Sequence, residues 1–300
     1  MAQAADVRVA VAAAALLGES PVWHPREQVL YYCDIPGHQL QRFDPASGEL
    51  RHWQFDTDVA SLAPKLDGTL LLAMRDGLWR FDPASGERAR IAEPPYDPSN
   101  ERFNDGKCDA QGRFWVGTIY EPRDPALASL HCYARGKLAR KLEGITVLNG
   151  LAWSPNGRTM HWSDTKAHTI YAADFDLASG RLSRRRAFAS FALKDSAQPL
   201  ERYGGRPDGA AMDAEGCYWV AMFEGQRLLR LSPEGEIVRE VALPVRCPTM
   251  PCFGGPDLKT IYITTARDKR PATELIAQPF AGCVLAFDVD VPGLPVNFAA

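Results

Sequence analysis

The sequence lacks a charge imbalance: 34 basic and 37 acidic side chains leave a formal net charge of −3 over 300 residues. Neither nucleic acid nor an anionic membrane surface is therefore an expected partner. The one basic run, Arg184-Arg185-Arg186, has no interleaved aromatics and reads as a solvated strand face or loop. No apolar stretch approaches the length needed to cross a bilayer. The apolar run from Val9 to Leu17 is short, is preceded by Asp6 and Arg8, and leads directly into Glu19, so a cleaved leader is not expected. The seven cysteines, at 33, 108, 132, 217, 247, 252 and 283, contain no Cys-x-x-Cys pair. That pattern predicts free thiols and a reducing, cytoplasmic setting, not a disulfide framework. An Asn-x-Ser/Thr acceptor site is also missing.

Standard catalytic signatures are missing as well. There is no Gly-x-Ser-x-Gly elbow, no Gly-x-Gly-x-x-Gly fingerprint and no phosphate-binding loop. The six histidines show neither His-x-His nor His-Glu-x-x-His spacing. Sustained 3.6-residue periodicity is absent, which argues against a helical solenoid.

What the chain does have is a repeat. Asp-Pro-Ala-Ser-Gly-Glu occurs at 44–49 and again at 82–87, a spacing of 38. A second unit, an apolar run, a turn and an apolar or aromatic run, recurs around Asp67-Gly68, Gln111-Gly112, Asn156-Gly157 and Glu215-Gly216. Weaker copies surround Arg26-Glu27 and Asp257-Leu258. Turns at 26, 67, 111, 156, 215 and 257 are separated by 41, 44, 45, 59 and 42 residues. Units of about 40–50 residues with about four short strands each are the mark of a β-propeller. The expected fold is all-β, a six-bladed propeller forming a single domain over 1–300. A strand within 6–13 should join the C-terminal blade and seal the ring. The long interval falls on the fourth unit, where 181–205 reads as an insertion that could form a lid or a dimer contact.

Seven residues before the six turns stand Glu19, Ala60, Asn104, Asn149, Asp208 and Met250. In a propeller the strand preceding each turn would be innermost, so these positions would meet at one mouth of the central channel. Four of them carry a carboxylate or amide oxygen. Hard oxygen donors without thiolate or imidazole suit Ca²⁺, Mg²⁺ or Mn²⁺, and carboxylates also accept Zn²⁺. Taken singly, Asn149-Gly150 and Asp208-Gly209 read as turns and Glu19 as a surface residue; a shared register makes a common site the better reading. With no nucleophile in view, chemistry at such a metal would be hydrolytic.

The stretches Leu17-Gly18-Glu19-Ser20-Pro21-Val22-Trp23, Arg102-Phe103-Asn104-Asp105-Gly106-Lys107, Asn149-Gly150-Leu151-Ala152-Trp153-Ser154 and Arg206-Pro207-Asp208-Gly209 resemble the regucalcin/gluconolactonase family of six-bladed propellers. Gly112 to Thr118 and Cys252 to Lys259 extend the likeness, in order, over nearly the whole chain. The resemblance implies one divalent cation (Ca, Zn, Mn or Mg) held by Glu19, Asn149 and Asp208, and a sugar lactone contacted by Arg102, Asn104 and Glu121. It implies hydrolysis of aldonolactones to sugar acids, with the metal as Lewis acid and Asp208 as candidate general base. Ser20 stands where many relatives have Gly. No obligate protein partner is evident.

Two other functions fit parts of the pattern. One is a non-catalytic divalent-cation-binding propeller, a calcium buffer or regulator; Arg102 and Asn104 argue against it, since an ion site alone has no use for sugar-hydroxyl donors. The other is an esterase or phosphotriesterase, which an apolar channel mouth would favour. Trp23, Trp115, Trp153, Trp162 and Trp219 flank the turns and read as blade packing, and Cys108, Cys132 and Cys217 as small core residues. Asp105 and Asp109 read as structural. His131 and His161 could reach the channel, but satisfied structural histidines are expected.

Overall fold

The computed structural model describes residues 5–300. Six four-stranded antiparallel sheets are arranged as the blades of a propeller. Their innermost strands are Gly18–His24, Val59–Pro64, Glu101–Cys108, Leu148–Trp153, Arg206–Met212 and Pro248–Gly254. Each inner strand touches the inner strands of the blades on either side. Every residue of Gly18–His24 is buried, whereas the outermost strand Lys137–Ile145 is mostly exposed. Burial therefore decreases outward along each blade. Among the described residues no helix is long and apolar enough to cross a membrane.

The turn repeat sets these blades. Gly68, Gly112, Gly157 and Gly216 each donate a backbone N–H to the carbonyl three residues earlier, with φ of 84°, 74°, 67° and 83°. This is a left-handed position that glycine occupies without a Cβ penalty. In the two weaker copies the left-handed residues are Gln28 (φ 55°) and Leu258 (φ 56°). Leu258 keeps the same bond, to the carbonyl three residues earlier, whereas Gln28 stands one place later and bonds His24 O, four residues back; neither copy has the glycine, which is why both are faint in sequence. The Asp-Pro-Ala-Ser-Gly-Glu copies cap the outer hairpins of the first two blades, with the carboxylates of Asp44 and Asp82 accepting from the N–H of Ala46 and Ala84. The ring closes as expected: Arg8–Val11 is the outer strand of the last blade, with Arg8 opposite Ala286 and Val9 opposite Leu285.

The fourth-blade insertion is shorter than 181–205. Arg181–Ser190 is that blade's outermost strand, paired from Asp176↔Arg181 to Thr169↔Ser190, so only 191–205 is additional chain. The basic run lies on this strand: Arg186 Nη1 bonds Asp174 at 2.9 Å, Arg184 pairs with the same carboxylate, and Arg185 lies over the Tyr171 ring.

Two blades share a buried bracing unit. In Asp109-Ala-Gln-Gly-Arg-Phe-Trp115 the aspartate accepts from Gln111 N, Arg113 N, Arg113 Nε and Trp115 Nε1. In Asp213-Ala-Glu-Gly-Cys-Tyr-Trp219 it accepts from Glu215 N, Cys217 N, Trp219 Nε1 and Arg230 Nε. All seven cysteines are free and buried. Replacing Asp213, fully buried, with Ala strands the Trp219 indole N–H and two backbone N–H groups and leaves Arg230 with Glu215 as its remaining carboxylate. We expect a loss of about 3 kcal/mol in denaturant unfolding; a loss within about 0.5 kcal/mol, the ordinary surface value, would contradict this bracing role.

Candidate active site

Every inner strand carries one extra residue relative to its neighbour, and the irregularity falls at the register of the six aligned positions. Pairing shifts between Glu19 and Val22, Phe103 and Gly106, Asn149 and Ala152, and Pro207 and Ala210. Such β-bulges bend the strand and re-aim a side chain. Here they coincide with Glu19, Asn104, Asn149 and Asp208. In the fourth blade the bulge needs Gly150, at φ 66°; a Cβ there would lie 2.2 Å from the Tyr218 hydroxyl. In the first blade Ser20 takes the same left-handed conformation at φ 48°, at a cost of about 1–2 kcal/mol for a non-glycine residue.

The bulges bring the predicted residues together. Glu19, Arg102, Asn104, Asn149 and Asp208 line one cavity of about 240 Å³, and all five are buried. Arg102, Asn104, Asn149 and Asp208 form a connected chain across three blades. Arg102 Nη1 donates to Asn104 Oδ1 at 2.9 Å, and Asn104 Nδ2 donates to Asn149 Oδ1 at 2.6 Å. Asn149 Nδ2 in turn donates to Asp208 Oδ1 and, at 2.8 Å, to Thr165 Oγ1. Ser163 Oγ holds the Asp208 carbonyl at 2.9 Å. Glu19 sits apart from this chain and accepts from the N–H of Ser20 at 3.2 Å.

The electrostatics of this floor are unfavourable for two bare carboxylates. Burial holds Glu19 well above the ordinary carboxyl range, and the neighbouring charges of Asp208 and Asp105 push it further. Burial likewise lifts Asp208 to about 8, with Arg206 opposing and Asp105 adding to the rise. Asp105 lies beneath, one oxygen accepting from Leu151 N at 2.8 Å and the other without a protein partner. Asp109, by contrast, is the bracing residue described above. Among the described residues no three His, Cys, Asp or Glu side chains cluster as a metal site. The candidate set differs because its third member is an amide, which still presents a hard oxygen.

Glu121 does not line the cavity. Its carboxylate accepts from Arg75 at 2.8 and 3.0 Å and lies 3.8 Å from Arg102 Nε; Asp58, 3.9 Å from the same nitrogen, shares Arg75. Glu121 thus meets the site through Arg102. Sequence reasoning missed Asp58 and the rim residues Arg123, Lys166, His168 and Arg206, because none occupies the repeated register. Only the proximity of Arg206 to Asp208 in sequence pointed to one of them.

His131 and His161 are absent from the cavity wall. His161 packs between Phe188 and Tyr218, and neither ring nitrogen of His131 nor Nδ1 of His161 has a protein hydrogen bond. They are structural, as expected, but not satisfied. Burial lowers both to about 4.

Residues 17–267 match the family described as the SMP-30/Gluconolactonase/LRE-like region. The chain is 42% identical over 279 residues to a 6-deoxy-6-sulfogluconolactonase of Pseudomonas putida, covering 93% of each chain. It is 34% identical over 287 residues to regucalcin of Gallus gallus, again covering 93% of each. Among solved structures, a calcium-binding protein, regucalcin, from Agrobacterium tumefaciens superposes with a TM-score of 0.92 at 26% identity, covering 99% of this chain and 98% of that one.

The buried histidines generate a pH prediction. A histidine that is neutral when folded and charged when unfolded makes stability fall as pH drops from 6.5 towards about 4. Unfolding of His161→Leu followed between pH 7 and pH 4 should show a shallower acid loss than wild type. An identical acid slope would contradict the assignment.

Proposed function

The chain belongs to the SMP-30/Gluconolactonase/LRE-like family, and from that premise we propose that it is a hydrolase opening sugar lactones to the corresponding sugar acids with one divalent cation bound. The observation that carries the reading is the convergence of Glu19, Asn149 and Asp208 with Arg102 and Asn104 in one cavity. The donor set fits a cation. Two buried carboxylates lack an ionic partner of their own at the floor, and an opposite charge beside them favours their ionised forms. Ca²⁺, Mg²⁺, Mn²⁺ and Zn²⁺ all accept such oxygens. When bound, the ion supplies Lewis-acid polarisation of the lactone carbonyl.

The chain's own residues do the rest. Arg102 spends Nη1 on the Phe103 carbonyl and on Asn104, which fixes its guanidinium plane and leaves other N–H groups for the sugar. Asn104, held by the Leu148 carbonyl at 2.9 Å, keeps its amide at a set orientation for a hydroxyl. This fixed geometry supplies orientation. Glu121 and Asp58 position Arg102. Asp208, ionised at neutral pH beside an opposite charge, would take the proton from the water that adds to the planar ester carbonyl; collapse then breaks the ring C–O bond, and the ring oxygen leaves as a hydroxyl by taking that proton back from Asp208. A second reading, a cation-binding propeller without turnover, is favoured by the similarity to the calcium-binding regucalcin structure.

Proton release from gluconolactone separates the two readings. Wild type should accelerate it, chelator should abolish the acceleration, and added divalent cation should restore it. Asp208→Ala should lower kcat/KM by about 100-fold or more, and Arg102→Ala should act mainly by raising KM. Undiminished turnover by Asp208→Ala would overturn the mechanism; one tightly bound cation with no turnover of any lactone would establish the second reading.

A further inference from the structure

We propose that Tyr218 and Ser163 are positioning residues for the cation: a reciprocal latch between the fourth and fifth blades, whose two hydroxyls hold Asn149 and Asp208 at a ligating separation. The inference rests on the cation-bound reading of Glu19, Asn149 and Asp208, and adds the residues that set the geometry of two of those three. Asn149 and Asp208 lie at bulges, where the sheet alone does not fix them. Pairing of Leu148–Trp153 with its neighbour passes from Asn149↔Ser163 directly to Ala152↔His161, so Gly150 and Leu151 stand outside the register. In Arg206–Met212 it passes from Pro207↔Met222 to Ala210↔Val220, which leaves out Asp208 and Gly209.

Buried backbone groups left out of a ladder need other partners, and here side chains of the adjoining blades supply them. The Tyr218 hydroxyl, on the fifth blade, donates to the Gly150 carbonyl at 2.6 Å. The Ser163 hydroxyl, on the fourth blade, donates to the Asp208 carbonyl at 2.9 Å. Each blade thus grips the bulge of the other. The two bonds meet at one point: a Cβ on Gly150 would lie 2.2 Å from the Tyr218 hydroxyl and 3.0 Å from both Ser163 Oγ and the Asp208 carbonyl oxygen. On its other side the third blade completes the hold, with Asn104 Nδ2 donating to the Leu148 carbonyl at 2.9 Å and Asp105 accepting from Leu151 N at 2.8 Å.

Tyr218 and Ser163 are both fully buried, so solvent does not compete for either bond. The Tyr218 ring is seated independently of its oxygen, against His161 and Phe188, which makes Tyr218→Phe a deletion of the bond alone. The latched carbonyls belong to Asp208 itself and to the residue that follows Asn149. A shift of either carbonyl turns the adjoining Cα and carries the ligand side chain with it. Asn149 Nδ2 already meets Asp208 Oδ1 across the same gap, so the two side chains move apart or stay together with their backbones. Groups that orient metal ligands in this indirect way act on metal affinity. A hydroxyl with a purely structural role would stabilise the blades and leave that affinity alone.

Calorimetric titration of Mn²⁺ and of Ca²⁺ into the full chain, freed of cation by chelator, tests the latch. We expect Tyr218→Phe and Ser163→Ala each to raise Kd by about tenfold or more. Tyr31→Phe is the control. It deletes the same atom from another buried tyrosine, whose hydroxyl donates to Glu27 at 3.0 Å in the first blade's turn. The control should lower the denaturant midpoint, as the latch variants do, and leave Kd within about twofold of wild type. Should Tyr218→Phe fail to fold, Ser163→Ala, which removes a single oxygen, gives the answer alone. Wild-type Kd in the folded latch variants, or a rise matched by Tyr31→Phe, would overturn the latch and leave the cation-bound reading standing. If wild type binds neither ion, that reading itself fails and the latch falls with it.

Discussion

The site depends on two carboxylates that share a buried floor. Glu19 and Asp208 enter it from the first and fifth blades, each held above the ordinary carboxyl range by burial. Burying like charges together is costly unless a proton or a cation intervenes. The surrounding groups are arranged around that constraint. Asn149 donates to Asp208, Asn104 donates to Asn149, and Arg102 donates to Asn104. The guanidinium that ends this chain is the one secured from outside by Asp58 and Glu121.

The propeller makes such an arrangement possible because it brings one register of six distant segments to a common axis. Closure by Arg8–Val11 against Val284–Asp288 leaves the ring without an open seam between its first and last strands. The bulges fall at four of those six positions whose side chains line the cavity. Ala60 and Met250, at the other two, fill space without adding a donor. One mouth of the channel is thus polar, while the other carries an apolar cavity of about 290 Å³ under Leu294, Pro295 and Val296.

The sequence was legible wherever a local rule repeats. Glycine in the left-handed turn position revealed four blades plainly, and the spacing from the turns alone brings Glu19, Asn104, Asn149 and Asp208 to one register. The faint blades were faint because Leu258 stands in that position in one, and in the other the left-handed residue is Gln28, one place later. The bulges were not legible, since pairing register is a property of two strands rather than of either one. Nor were Arg123 and Lys166: they lie in loops outside the repeat, and the bond from Lys166 Nζ to the Arg123 carbonyl depends on how two mouth connections fold towards each other. The fourth-blade insertion was overdrawn because an arginine-rich outer strand looks like loop when its exposed face is polar. Glu121 was placed close to the site, but the salt bridge to Arg75 that takes its carboxylate has no local signature.

The proposed mechanism requires Glu19, Asn149 and Asp208 to hold a single divalent cation at the channel floor. Anomalous diffraction from crystals grown with Mn²⁺ tests it most directly. One strong peak bounded by oxygens of those three side chains is expected, lost in crystals of Glu19→Gln/Asp208→Asn. Ordered Mn²⁺ elsewhere in the protein with none between Glu19 and Asp208 would contradict it.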